Sequence, residues 1–134
     1  MVESLGIDEA VTFAGTQVDG LERYYRAADI FIMLSKFDTF GMVVLEAMAA
    51  GLPVIISPDV GAKDIVEEGS NGFILPQYQD VDSAADRIVR LSNAERRETM
   101  GAAAQTAAMH DWERLANKIE KIYEDFIIRS KSND

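Results

Sequence analysis

Short apolar runs alternate with helical segments through the N-terminal half of the chain, and this alternation limits the folds open to it. The segments between the runs show helical spacing or stop signals over 19–29, about 40–50 and 61–69. Such alternation is typical of a parallel α/β sheet with right-handed crossovers. Near-continuous apolar runs also indicate strands that are buried on both faces. The predicted strands are VTFAG (11–15), IFIMLS (30–35), PVIIS (53–57) and NGFILP (71–76).

The rest of the chain is predicted to be helical. One helix is expected over 82–92, a second from Asn93 to Met109, and a third from Trp112 to Ile128. Ser92 and Glu95 have the spacing of a capping box for the second helix, and Asp111 is placed to cap the third. Apolar residues of the third helix form one stripe at helical spacing, namely Leu115, Ile119, Ile122 and Phe126. We expect a single partial domain over 1–134, with a β/α core over 1–78 and helices over 79–134.

The composition argues against several kinds of partner and site. The 134 residues carry a formal net charge of −10, which disfavours nucleic acid because phosphate binding needs a basic face. There is no cysteine and only one histidine, His110, so we expect no disulfide and no metal site. No apolar run reaches the roughly 20 residues of a membrane span. The residues after Met1, VESLG, do not resemble a signal peptide, and we expect a cytoplasmic protein.

Candidate ligand contacts lie in the loops that follow the predicted strands, because open parallel sheets bind ligands at the carboxyl ends of their strands. In the loop SKFDTFG, Asp38 or Thr39 falls at the expected cap of the next helix. The backbone N–H groups of Phe40, Gly41 and Met42 would then point out of the helix end, where unpaired donors and the helix dipole attract phosphate. Taken alone, an aspartate such as Asp38 at this position is more often a helix cap than a catalytic group.

Glu46 is the one polar residue between Met42 and Ala50. It lies about 9 Å along the helix from the phosphate position, at 1.5 Å per residue. That distance suits a group one sugar away from the phosphate. A carboxylate there can accept hydrogen bonds from two neighbouring hydroxyl groups, as it does from ribose in dinucleotide folds. Two other interpretations stay open, in which Glu46 pairs with a lysine or arginine of the core or reaches solvent.

Several stretches together resemble one family. VTFAG…YYRAADIFIMLS, DTFGMVVLEAMAAGLPVI and DVGAKDIVEEGSNGFILP are similar to the carboxyl-terminal, donor-binding domain of the family 4 (group 1) glycosyltransferases. The similarity covers about residues 8–78, and the tail DWERLANKIEKIYEDF resembles the family's closing helix more loosely. The resemblance implies a Rossmann-like parallel sheet with flanking helices, as a partial second domain of a two-domain glycosyltransferase.

The resemblance also implies roles for particular residues. The family's paired acids fall on Asp38 and Glu46, so Glu46 would bind the ribose hydroxyls of a nucleotide-sugar. Asp38, the implied catalytic residue, would contact hydroxyls of the donor sugar. Backbone N–H groups from Thr39 to Met42 would hold the sugar and diphosphate, and the backbone near Gln17 and Val18 would meet the base. Transfer in the family proceeds with retention at the anomeric carbon and needs neither a metal nor a cofactor.

The chain departs from the family pattern in two respects. Position 38 is aspartate where the family usually has glutamate, so its carboxylate is set back by about one methylene. The family's upstream strand–helix units, with the Arg and Lys that hold the diphosphate, have no counterpart here, since Lys36 and Lys63 do not match them. One missing strand would lie between the runs 11–15 and 30–35. Without it, either the two runs pair directly, or the sheet rearranges, or it pairs with another copy of the chain, so self-association through the incomplete sheet is one of three expectations.

These departures leave several functions open. The resemblance implies transfer of a sugar to a glycan or lipid-linked acceptor that is bound by a missing N-terminal domain. Without that domain, we expect the isolated chain to be inactive. The full-length protein would act in the cytoplasm or at the periphery of the inner membrane. The alternatives are a non-catalytic domain that serves assembly and a nucleotide-sugar epimerase of similar fold.

Overall fold

Three parallel strands form the sheet within the part of the chain that the structure describes. The computed structural model describes residues 2–17 and 19–131, with their side chains except at 110–116, 118, 119 and 122–131. The strands lie in the order β1 (Phe31–Met33), β2 (Val54–Ile56), β3 (Gly72–Ile74), and Phe31 pairs with Val54, which pairs with Gly72. The helices are α1 (Leu21–Ala27), α2 (Met42–Ala49), α3 (Val81–Leu91) and α4 (Ala94–Lys131). The predicted parallel α/β fold is confirmed.

Strand β2 lies between two apolar cores, one on each face of the sheet. Val54 and Ile56 pack in the core that contains residues of α2 and α4, among them Val44, Met48 and Ala104. Ile55 points to the opposite face, where a second core contains Phe73, Leu75, Ala84, Leu91 and Met100. All three residues of β2 are fully buried, which confirms the prediction that its apolar run is covered on both faces.

The prediction of a strand over 11–15 is wrong. Residues 11–17 are in neither a helix nor a strand, and the Phe13 side chain is 82% exposed. A strand is stabilised by hydrogen bonds to a neighbour, and the described sheet offers no paired neighbour beyond β1. The same open edge explains a second error: the apolar run 30–35 is not buried on both faces, since Ile32 is 41% and Leu34 42% exposed. Self-association through this edge stays a prediction.

The predicted helices differ from the observed ones in their ends. The segment 61–69 contains only a 3₁₀ helix, Gly61–Ile65, because the chain turns back into β3 within a few residues. Helix α4 is capped by the Asn93 side chain, which accepts from the Arg96 N–H at 2.9 Å, so the capping box from Ser92 is wrong. The two helices predicted beyond Asn93 are one, since no glycine or proline interrupts the chain at Asp111.

The long helix α4 also carries the predicted apolar stripe of the tail. That stripe, from Leu115 to Phe126, involves side chains that lie outside the described set. Among the helices described, none combines the length and the apolar run that crossing a membrane would need.

Candidate functional site

The loops after β1 and β2 are joined at the carboxyl edge of the sheet. The Asp38 N–H donates to the Asp59 carbonyl at 3.0 Å, and the Gly61 N–H donates to the Asp38 carbonyl at 2.9 Å. Deeper in the edge, the fully buried Ser57 hydroxyl donates to the Ser35 carbonyl and accepts from the Ser35 N–H at 2.9 Å. These bonds fix loop 35–41, which leads into α2, against loop 57–62.

Two glycines permit the close approach of these loops. Gly41 immediately precedes α2 with a φ of 67°, a conformation that favours glycine. A Cβ atom on Gly61 would lie 2.1 Å from the Thr39 carbonyl oxygen, and one on Gly41 would lie 2.8 Å from a methyl group of Val60. The first turn of α2 therefore has one position relative to the neighbouring loop.

The Asp38 carboxylate caps the chain just before α2. Its Oδ1 accepts from the Phe40 N–H at 3.1 Å and from the Gly41 N–H. The residue that flanks the helix is Gly41, so the expectation that Asp38 or Thr39 occupies that position is wrong. Short side chains such as Asp favour this local turn because their oxygens reach the backbone two or three residues on.

This arrangement changes which donors the helix end presents. The N–H groups of Phe40 and Gly41, which we expected to be free, already donate to Asp38. Those of Met42 and Val43 have no acceptor in the described part of the chain and lie at the end of α2. Contacts of the Phe40 and Gly41 N–H groups with a nucleotide-sugar stay a prediction. Such contacts would require Asp38 to release these two N–H groups.

Replacing Asp38 separates its capping role from its charge. Asp38→Ala is expected to lower the free energy of unfolding by about 1 kcal/mol, the usual net effect of losing a hydrogen-bond acceptor for backbone N–H groups. Asp38→Asn keeps an oxygen for the same two N–H groups and should lower it by less than about half as much. Chemical denaturation of the three proteins measures both effects. Equal losses for the two variants would contradict the capping role.

A small cavity lies beside Asp38. It has a volume of about 220 Å³, and its lining includes Asp38, Thr39, Asp59 and Lys63. Phe37 also lines it with a side chain that is 73% exposed, and nearby Phe40 is 72% exposed. The cavity combines two acidic residues, one lysine and one aromatic ring, which suits a ligand with hydroxyl groups.

Glu46 lies on the exposed side of α2, in its second turn. Its neighbours Ala47 and Met48 are buried in the core, while Glu46 itself is exposed. A second cavity of about 500 Å³ has Glu46, Ala49 and Ala50 on one side and residues of α1 on the other. No lysine or arginine forms an ion pair with Glu46 among the described side chains, which removes the core ion pair from the alternatives. One cavity thus lies beside the loop that precedes α2, and the other lies beside the second half of the helix.

The hydroxyl of Tyr25 holds the Glu46 carboxylate. It donates to Glu46 Oε2 at 3.0 Å, and the Tyr25 ring meets Phe31 of β1 edge to face with centroids 6.0 Å apart. Burial, followed by the hydrogen bond to Glu46 and the charge of that carboxylate, raises the pKa of Tyr25 to about 12. No sequence pattern indicated this contact, because the two partners are 21 residues apart and lie on different helices.

Gln17, one of the two predicted base contacts, does not line the cavity of Glu46. Gln17 donates from Nε2 to the Ala14 carbonyl, within its own segment. It lines a separate cavity of about 380 Å³ that shares no lining residue with that of Glu46. Val18 lies outside the described residues. A contact of Gln17 and Val18 with a base stays a prediction.

The described side chains contain no cluster of three or more carboxylate or histidine groups that could hold a metal ion. The prediction that no metal or cofactor takes part stays a prediction.

Comparison with known proteins gives one family. The model for "Glycosyl transferases group 1" matches residues 1–107. Among curated proteins, the sulfoquinovosyl transferase SQD2 of Arabidopsis thaliana is 36% identical over 123 residues, which are 88% of this chain and 24% of that protein. The chain thus spans about a quarter of the length of that relative.

Solved structures agree with the sequence comparison. The sucrose-phosphate synthase of Thermosynechococcus elongatus superposes with a TM-score of 0.78 at 30% identity, over 95% of this chain and 33% of that one. The Anabaena protein HepE, solved in complex with UDP and glucose, superposes with a TM-score of 0.75 at 26% identity, over 92% of this chain and 34% of that one. Both likenesses cover nearly all of this chain and about a third of the larger protein.

Proposed function

The chain belongs to the group 1 glycosyltransferases, and on that premise we propose that it forms the donor-binding part of a retaining glycosyltransferase. The donor is a nucleotide-sugar, and the sugar passes to a glycan or lipid-linked acceptor. UDP and glucose in HepE support the class of donor. The glycan or lipid-linked acceptor would be bound outside the residues that the structure describes.

One observation carries the proposal: the Glu46 carboxylate lies in an open cavity of about 500 Å³ beside α2, with one oxygen already held by Tyr25. A carboxylate has about four acceptor positions, so Glu46 can accept from Tyr25 and from a ribose diol at the same time. The cavity is large enough for a ligand of nucleoside size.

The sugar and diphosphate would bind near the start of α2. The N–H groups of Met42 and Val43, which have no acceptor among the described residues, and the positive end of the helix dipole favour a phosphate there. The smaller cavity beside Asp38 and Lys63 would take the donor sugar. Asp38 would contact its hydroxyl groups, after a shift from the cap that it forms in this structure.

The chemistry that we propose is electrostatic. When the bond between the anomeric carbon and the diphosphate breaks, negative charge develops on the leaving diphosphate. N–H groups fixed at the helix end stabilise that charge without reorganisation. Lys63, which lines the Asp38 cavity, adds a positive charge close by. We therefore propose transfer without a metal ion.

Titration of the chain with UDP, GDP and ADP, followed by amide NMR, tests the proposed function. Binding at this site should shift the amide resonances from Thr39 to Val43 and at Glu46, with one nucleotide giving the largest shifts. Amides at the far end of α3 serve as an internal control and should not move. If no nucleotide at millimolar concentration shifts the α2 resonances, the chain does not bind donor and the proposal fails.

A further inference from the structure

Tyr25 is anchored more firmly than the carboxylate that it contacts. Its ring packs against the core that contains α2 and meets Phe31 edge to face. Glu46, by contrast, is an exposed residue on α2 whose one described side-chain bond is to the Tyr25 hydroxyl, at 3.0 Å. The hydrogen bond therefore fixes the Glu46 carboxylate to a tyrosine that the core holds in place.

An exposed glutamate that must bind a ligand loses conformational freedom when it does so. Ordering such a side chain costs up to about 2 kcal/mol. A hydrogen bond that fixes it beforehand reduces that cost at the moment of binding. Tyr25 donates to Oε2, and no described residue donates to Oε1, which can therefore accept from a ligand in the cavity.

From this geometry we propose that Tyr25 is a positioning residue, which orients Glu46 for the two neighbouring hydroxyl groups of a ribose. The inference rests on the proposed function and adds a residue to its site. A phenol suits this role better than a lysine or arginine would. It donates one hydrogen bond without neutralising the carboxylate, which keeps its full strength as an acceptor for ligand hydroxyls.

Tyr25→Phe tests the role because it removes the hydroxyl and keeps the ring against Phe31. The probes are UDP and 2′,3′-dideoxy-UDP, which lacks both hydroxyl groups that Glu46 would bind. We expect the wild-type chain to bind UDP at least about tenfold more tightly than the dideoxy compound. In Tyr25→Phe the affinity for UDP should fall about fivefold, while that for the dideoxy compound should stay unchanged.

Tyr24→Phe is the matched control. Tyr24 is the preceding residue of α1, is 49% exposed and has no hydrogen bond from its hydroxyl among the described contacts. Tyr24 lines the separate cavity that contains Gln17, so its substitution should leave the preference for UDP over the dideoxy compound unchanged. Thermal unfolding of both variants checks that neither has lost its fold, since a general loss of structure would weaken both probes alike.

The outcomes separate this inference from the proposed function. If the wild-type chain prefers UDP over the dideoxy compound and Tyr25→Phe keeps that preference in full, the ribose site stands and the positioning role of Tyr25 is overturned. If Tyr25→Phe weakens both probes equally, the role is structural and the inference is again overturned. If the wild-type chain binds neither probe nor GDP nor ADP, the proposed function fails and the inference fails with it.

Discussion

Glu46→Gln is expected to weaken UDP binding by about tenfold to a hundredfold. The substitution keeps the size of the side chain but removes its charge, and hydrogen bonds to charged groups contribute about 1.5–3 kcal/mol. It also replaces one acceptor oxygen by an NH₂ group. Since Tyr25 donates to Oε2, the amide oxygen of the new side chain would turn toward Tyr25 and present the NH₂ group to the cavity. A ribose diol would then face a donor where it needs an acceptor.

Isothermal titration or the NMR titration of the two proteins measures this effect. Glu98→Gln is the matched control, because it makes the same chemical change on the exposed side of α4, away from the residues that line the Glu46 cavity. The dideoxy compound adds a second control, since its affinity should not depend on the charge at position 46. An unchanged affinity for UDP in Glu46→Gln would exclude the ribose role.

The parts of the site that the sequence predicted lie within single elements. The apolar run from Met42 to Ala50, followed by Gly51 and Pro53, predicted a helix that ends close to where α2 ends. The spacing of Asp38 and Glu46 then predicted that one acid lies before the helix and the other on its second turn. Local periodicity and stop signals determine these features, so the sequence alone suffices for them.

The errors at the edge of the sheet have a different origin. The run 11–15 has the composition of a strand, but a strand forms only where a neighbour completes its hydrogen bonds. The same holds for burial: Ile32 belongs to an apolar run, yet it is 41% exposed because nothing described covers that side of β1. The sequence of a segment shows that it can form a strand, but the segment joins a sheet only where a neighbouring strand is present to pair with it.

The sequence also did not predict contacts between different secondary-structure elements. Tyr25 and Glu46 are 21 residues apart on different helices, and their bond depends on how both helices pack against β1. For Asp38 the sequence left a cap and a functional group open, and its bonds to Phe40 and Gly41 place the helix start later than expected. The position of Asp38 and of the helix start depends on the close approach of two loops, which Gly61 permits.

Gly61→Ala is accordingly expected to have the largest effect on stability, a loss of about 3 kcal/mol or more. The new Cβ would lie 2.1 Å from the Thr39 carbonyl oxygen and 3.0 Å from the Phe40 Cα, and both are backbone atoms that no rotamer change can move. Relief would require the two loops to separate. That would break the bond from the Gly61 N–H to the Asp38 carbonyl and expose Val60, which is fully buried.

Gly69→Ala gives the matched comparison for that loss. Gly69 has a φ of 77° and open space where its Cβ would be, so its replacement should cost only the strain of the left-handed conformation, about 1 kcal/mol. Chemical denaturation of both variants measures the difference. Equal losses would mean that the loops move apart easily, and α2 would then have no fixed start at which to hold a phosphate. A clearly larger loss in Gly61→Ala than in Gly69→Ala, together with altered amide resonances from Asp38 to Gly41, would show that the contact of the two loops holds the site in place.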